Sequence, residues 1–402
     1  MRRLSLASAF ALALLVSAHG AFAQKTKDEP KRPRLPAGVD TNNARSYYDY
    51  GLTKVERDPE EAAAAFYWAT RINPTFAEAF YARRCALLLS DKGRYQKYVE
   101  DDRRTIRSPE VQRIDSLYYY SLTINPFMYR GLDALMFRGY IGSLTDDFLR
   151  RTNSSPTELQ FEIDRWLLGA PPSFKAWRAY SEGRFPDALR LYAEAIKNAK
   201  FPSELRADRG RIFFQVGMAD SALAELTQAL AELRRADKKD LVFVYESKAL
   251  LEHSIGLVQQ RLGDKAAAKD AFGRALQEDL SYFPAHVQLA YLALDGRDTT
   301  TALSEMDLAV QIRADDPVLH YIYGYALATS GRYEDAEKEL RKSIQVDPVF
   351  ATPYHVLGQI LEALGKESDA LAQYQSFLAR ASQSDVRRKE ASDLVRDLAA
   401  KH

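Results

Sequence analysis

The residues best suited to metal or acid–base chemistry are few in this 402-residue chain: six histidines and one cysteine. His286 and His320 stand 34 residues apart, which is the most suggestive spacing among them. A zinc site would need both to converge with at least a third ligand. No H-E-x-x-H helix, no G-x-x-x-x-G-K-[ST] phosphate cradle and no G-x-S-x-G nucleophile elbow occurs. Cys85 is alone, so it can form neither an intramolecular disulfide nor a metal-binding or redox pair; its place within a helical stretch suits a buried, inert thiol. No catalytic residue, metal or cofactor is therefore expected, and the chain is not expected to be an enzyme. The remaining place for a hydrolase centre is residues 109–168, which lack His and Cys and offer carboxylates such as Asp133, Asp146 and Asp147.

The 34-residue step is not confined to the histidines. "YIYGYALATSGRYEDAEKEL" at 321–340 returns as "HVLGQILEALGKESDALAQY" at 355–374, with Gly324 on Gly358, Gly331 on Gly365 and Ala336 on Ala370. Earlier stretches keep the same order of residue types. Residues 249–282 carry Gly256, Gly263, Ala268, Phe272 and Ala275; residues 203–236 carry Gly210, Gly217, Ala222, Leu226 and Ala229. Residues 169–202 carry Gly183, Ala188, Tyr192 and Ala195, and residues 283–316 carry Ala290, Ala302, Met306 and Ala309. Near the start, "DPEEAAAAFYWATRINP" repeats the second half of this pattern with Ala62, Phe66, Ala69 and Pro74, and Gly51 precedes it.

On these residues the chain resembles the tetratricopeptide repeat family, whose 34-residue unit is helix A, a turn and helix B. Small residues at repeat positions 8, 20 and 27 let the helices approach, and large ones at 4 and 24 fill the gaps. Glycine near position 15 suits the turn that ends helix A. The resemblance implies an all-α fold: an α-solenoid, a right-handed superhelix of helical hairpins with a C-terminal capping helix. His286 and His320 then fall at position 4, a packing position.

The expected organisation is a signal peptide at 1–23, a disordered, basic, Pro-rich linker at 24–42, and a repeat pair at 43–108. A divergent helical bridging segment follows at 109–168, then six units at 169–383 and a capping helix at 384–402. The cap is read from Ala391, Leu394, Val395 and Leu398, one apolar stripe at helical spacing.

The opening "MRRLSLASAFALALLVSAHGAFA" joins a basic start, an apolar run and a small-x-small ending, the pattern of a cleaved export signal. The expected location is outside the cytoplasm, periplasmic or secreted. Losing Arg2 and Arg3 takes the 56 Lys+Arg to 54, against 55 Asp+Glu. That balance gives no electrostatic reason for nucleic acid or an anionic membrane as partner. No later stretch is apolar enough to anchor the chain in a bilayer. The Arg83-Arg84 pair reads as a solvated face.

In the family, positions 2, 5, 9, 12 and 13 of helix A tend to line a concave groove. The resemblance assigns to it Trp177, Tyr180, Arg211, Gln215, His253, Gln260, Tyr291, Tyr321, Tyr325, His355, Gln359 and Glu362. Tyrosine rings offer contact area at low entropic cost and amides pair with backbone, so the set suits an extended peptide. The expected function is a scaffold or adaptor for a protein or peptide partner in the cell envelope. Glycan or small-ligand binding on the same rings is the alternative.

Overall fold

The computed structural model describes residues 29–91, 108–139, 169–236 and 247–400, with isolated positions between them. The candidate signal peptide at 1–23, Asp146 and Asp147 lie outside the described residues. The described residues contain no strand.

Helical hairpins follow the 34-residue step. They are α1 (Ala44–Lys54) with α2 (Pro59–Ile72), α5 (Pro172–Ser181) with α6 (Phe185–Asn198), and α7 (Ser203–Gln215) with α8 (Ala219–Ala236). Then come α9 (Lys248–Leu262) with α10 (Lys265–Glu278), and α11 (Phe283–Asp295) with α12 (Thr299–Ile312). The last pairs are α13 (Pro317–Thr329) with α14 (Tyr333–Val346), and α15 (Thr352–Ala363) with α16 (Glu367–Arg380). Before them stand α3 (Ala77–Leu89) and α4 (Pro109–Ile124), and after them α17 (Arg388–Ala399).

Local chemistry explains where the hairpins turn. Gly183, Gly217, Gly263, Gly331 and Gly365 end their A helices with positive φ, the left-handed conformation that side chains resist. The hairpin of α11 and α12 has Arg297 at this point, with φ 60°. Several B helices then start on an aspartate cap: Asp58, Asp264 and Asp298 accept from the N–H groups of Glu61, Ala267 and Thr301 at 3.0, 2.9 and 3.1 Å.

Within each hairpin a small residue faces a large one. A Cβ on Gly256 would lie 2.4 Å from Phe272, and one on Gly358 would lie 2.6 Å from Tyr374. Only a bare backbone fits there. Gly51 does the same for Phe66 at 2.5 Å, with the pair one residue closer in sequence than the other two.

The chain divides into two compact units. The first comprises residues 1–86, 112–124 and 286–402. Its core is built from Leu327, Leu340, Leu357, Leu361, Tyr374 and Phe377, and α17 lays Ala391 and Leu398 over the last hairpin. In the same unit the N-terminal hairpin docks on the inter-repeat turns. Arg71 pairs with Asp347 through two hydrogen bonds, Nε at 2.7 Å and Nη2 at 3.0 Å. Asp40 accepts from Ser382 Oγ and Gln383 N, both at 2.7 Å, and Tyr120 OH donates to Asp316 at 2.8 Å.

Residues 29–42 differ from the disordered linker expected there. Leu35 is buried in a cluster with Tyr47, Ala69 and Ala79. Trp68 Nε1 donates to Pro30 O at 3.0 Å, and the Arg32 guanidinium stacks over Trp68. One leucine and a set of backbone carbonyls give this polar stretch enough to hold. Arg84 is likewise not solvated: it is buried and pairs with Asp115 at 2.9 Å.

The second unit comprises residues 87–111 and 125–285. Its main core joins Ala207, Leu226, Leu230, Leu251, Ile255 and Val258 to Phe127, a residue from outside the repeats.

Candidate functional site

Repeat position 9 of helix A holds Trp177, Arg211 and the core-packed Leu257 in the second unit, and Tyr291, Tyr325 and Gln359 in the first. The surroundings of the two sets differ.

In the second unit the face is occupied. The stretch "PFMYRGLD" at 126–133 lies along α5 and α7. Arg211 Nε donates to Pro126 O at 3.1 Å, and Gln215 Nε2 to Phe127 O at 2.6 Å. Tyr180 OH donates to Met128 O at 3.3 Å and accepts from Arg130 N at 3.3 Å. Trp177 Nε1 donates to Asp133 at 3.2 Å. The Phe127 ring stacks on Phe214 at 3.8 Å, and Tyr129 meets Tyr180 edge-on at 5.5 Å. Asp208 gathers the cations, accepting from Arg130 at 2.9 Å and from Arg211 at 3.1 Å; Tyr192 OH also donates to it, at 3.2 Å. Burial raises the Tyr180 phenol above the ordinary tyrosine range, so it stays protonated and can donate.

Two expected groove residues do not line any surface. His253 is buried between Phe272 and Tyr282, with ring centroids at 5.6 and 5.5 Å. Burial holds its pKa down at about 3. His355 is buried against Tyr374 and Phe377, and burial again lowers its pKa. The physical reason is shared. Each follows the same register as a position-8 glycine, Gly256 or Gly358, whose missing side chain brings the helix B aromatic under the histidine ring. Arg211 is also buried, in its case beneath the 126–133 segment. Gln260 is half-buried, and Glu362 accepts from Tyr374 OH.

In the first unit the face is open. Tyr291 is 43% exposed and Tyr325 48%, with the half-buried Tyr321 beside both. Burial, with a smaller contribution from the Tyr325 phenol, raises Tyr321 above the usual tyrosine value. Tyr321 packs edge-on against Phe350 at 5.7 Å, which fixes its ring. Gln359 is exposed at the next step of the row.

His286 and His320 do not converge. Each Nδ1 pairs with a glutamate of its own helix B, Glu305 at 2.6 Å and Glu339 at 2.7 Å. Both pairs have the same 19-residue spacing, and that repetition is a signal the sequence carried. Among the described residues no group of three or more His, Cys, Asp or Glu could hold a metal ion. Cys85 is buried. None of the described helices is long and apolar enough to cross a membrane.

The hairpin geometry has a counterpart in a family model described as tetratricopeptide repeat, which matches residues 175–239, 254–317 and 324–385. The chain carries tetratricopeptide repeats. Solved structures with a similar arrangement include the C-terminal part of a TPR repeat-containing protein from Cytophaga hutchinsonii. It is 14% identical, with a TM-score of 0.44, over 52% of this chain and 78% of that one. YrrB, described as a TPR protein with an unusual peptide-binding site, is 20% identical with a TM-score of 0.40, over 54% of this chain and all of its own. MamA from Desulfovibrio magneticus RS-1 is 18% identical with a TM-score of 0.37, over 44% and 94%. No curated protein matches this chain.

Proposed function

We propose that this protein is an interaction scaffold that takes an extended segment of a partner protein on the tyrosine row of its first unit, Tyr291, Tyr321, Tyr325 and Gln359. One observation carries the reading. The helix A face of the second unit already holds a non-helical stretch of chain with turns at 126–127 and 131–132, through rings, an amide and a guanidinium that address its backbone carbonyls. The first unit presents tyrosines and an amide on the same helix A face, at positions 5 and 9, and of these Tyr291, Tyr325 and Gln359 are exposed. Rings that are rigid and amphipathic, beside one amide, suit peptide binding without catalysis.

The export pattern at 1–23 adds a location: the partner is a protein of the cell envelope, met in the periplasm or outside the cell. N-terminal sequencing of the mature protein tests this, with Gln24 as the expected first residue.

The binding role is tested by selecting ligands for the full chain from a peptide display library and, in parallel, from a glycan array. Peptides whose affinity falls by about tenfold or more in a Tyr291→Ala/Tyr325→Ala variant support the reading, a loss in the range of hot-spot aromatics. Selected glycans that depend on the same tyrosines would replace it with carbohydrate binding. Peptides indifferent to both substitutions would place the site elsewhere.

A further inference from the structure

The segment at 126–133 shows what the face of α5 and α7 recognises. Three side chains address three consecutive carbonyls: Arg211 on Pro126, Gln215 on Phe127 and Tyr180 on Met128. Carbonyls are common to every peptide, so this polar part of the recognition transfers to any chain that takes the same turn at 126–127. The sequence-selective part is smaller. It is the Phe127 ring on Phe214 at 3.8 Å and the Arg130 guanidinium on Asp208 at 2.9 Å. The fit is also incomplete. Gln215 Oε1 is buried with no hydrogen-bond donor in reach among the described residues. An incoming backbone N–H would satisfy it.

We propose that the face of α5 and α7 is a second peptide-binding site, for a turn-forming partner segment with an aromatic residue three positions before an arginine, and that residues 126–133 occupy it as a built-in competitor. This site is separate from the tyrosine row and stands or falls independently of it. The resident segment is tethered, so its effective concentration is high and a partner binds weakly until the segment is loosened. Arg211, Gln215 and Tyr180 then meet the partner's carbonyls, Phe214 its aromatic ring and Asp208 its arginine.

The probe is a fluorescein-labelled synthetic peptide with the sequence of residues 124–133, titrated into the full chain by anisotropy. Phe127→Ala with Arg130→Ala loosens the resident segment and leaves the groove residues in place. The expected result is binding at least about tenfold tighter than to the unaltered chain, abolished when Gln215→Ala is added. Equal affinity for the loosened and unaltered chains overturns the proposal, as does binding indifferent to Gln215→Ala. Should the loosened variant lose helicity, hydrogen exchange of the unaltered chain decides. A competitor opens locally, so its amides from 127 to 133 exchange at least about a hundredfold faster than those of α5 and α7. Exchange in step with those helices would make the segment fixed core and end the proposal.

Discussion

The two halves of the position-9 row have met different fates. Trp177 and Arg211 are covered by a stretch of the same chain, whereas Tyr291 and Tyr325 face solvent. Both halves sit on A helices, after the same kind of hairpin. The difference lies in what the rest of the chain supplies. A repeat unit sets which positions point outward, and a non-repeat segment decides which of them are available. A residue list taken from the repeat alone therefore overstates the open surface.

The sharpest way to break this comparison is to empty one face and leave the other. Phe127→Ala should cost about 3–5 kcal/mol, as for other buried Phe→Ala changes, whereas Tyr325→Ala should stay within about 0.5 kcal/mol. The first loss should appear as faster exchange of the Arg130 amide, which is bonded to Tyr180; chemical denaturation reads the second.

The hairpins beneath the two faces should respond alike. Gly256→Ala and Gly358→Ala each push a Cβ into a ring, and overpacking of this kind costs about 1–3 kcal/mol. A large cost in one unit only would show that the two are not built on the same close approach.

Position 5 makes both units sensitive to pH. His253 is held neutral in the folded chain, with its pKa lowered from 6.5 to about 3 by burial. Below pH 6.5 the unfolded chain takes up a proton that the folded one refuses. Stability should therefore fall as pH drops from 6.5 towards 3, by up to about 1.4 kcal/mol per pH unit. His253→Phe should flatten that slope in denaturation curves across the range. In the first unit position 5 holds Tyr321 in one hairpin and His355 in the next, and His355, its pKa also lowered by burial, should add a slope of the same sign.

The smallest effect is expected at the turn that departs from the rest. Arg297 takes a left-handed conformation where sister hairpins have glycine. Arg297→Gly should stabilise the chain by about 1 kcal/mol, measured as a higher denaturation midpoint.

Most of the fold was legible because packing repeats with the sequence. Gly358 against Tyr374 could be placed from the repeat pattern that the family resemblance implies, and Ala391 with Leu398 from helical spacing. The contacts that distinguish the two faces were not legible. Arg71 and Asp347 are 276 residues apart, and no local pattern links them. The 126–133 segment carries no repeat signature, so nothing in its residues announced that it lies on Trp177, Tyr180, Arg211 and Gln215. His253 and His355 were misplaced for a subtler reason. Their repeat position usually faces the groove, but a neighbouring glycine draws an aromatic ring beneath each and closes it in. Residues 29–42 show the same limit, since a Pro-rich, basic composition conceals the single buried Leu35 and the carbonyl that Trp68 holds.

The measurement closest to the central claim is hydroxyl-radical footprinting of the full-length chain, read by mass spectrometry at individual aromatic residues. An open face in the first unit and a filled one in the second predict that Tyr291 and Tyr325 are oxidised several-fold faster than Tyr180. Equal rates at the three tyrosines, or faster oxidation of Tyr180, would contradict the account.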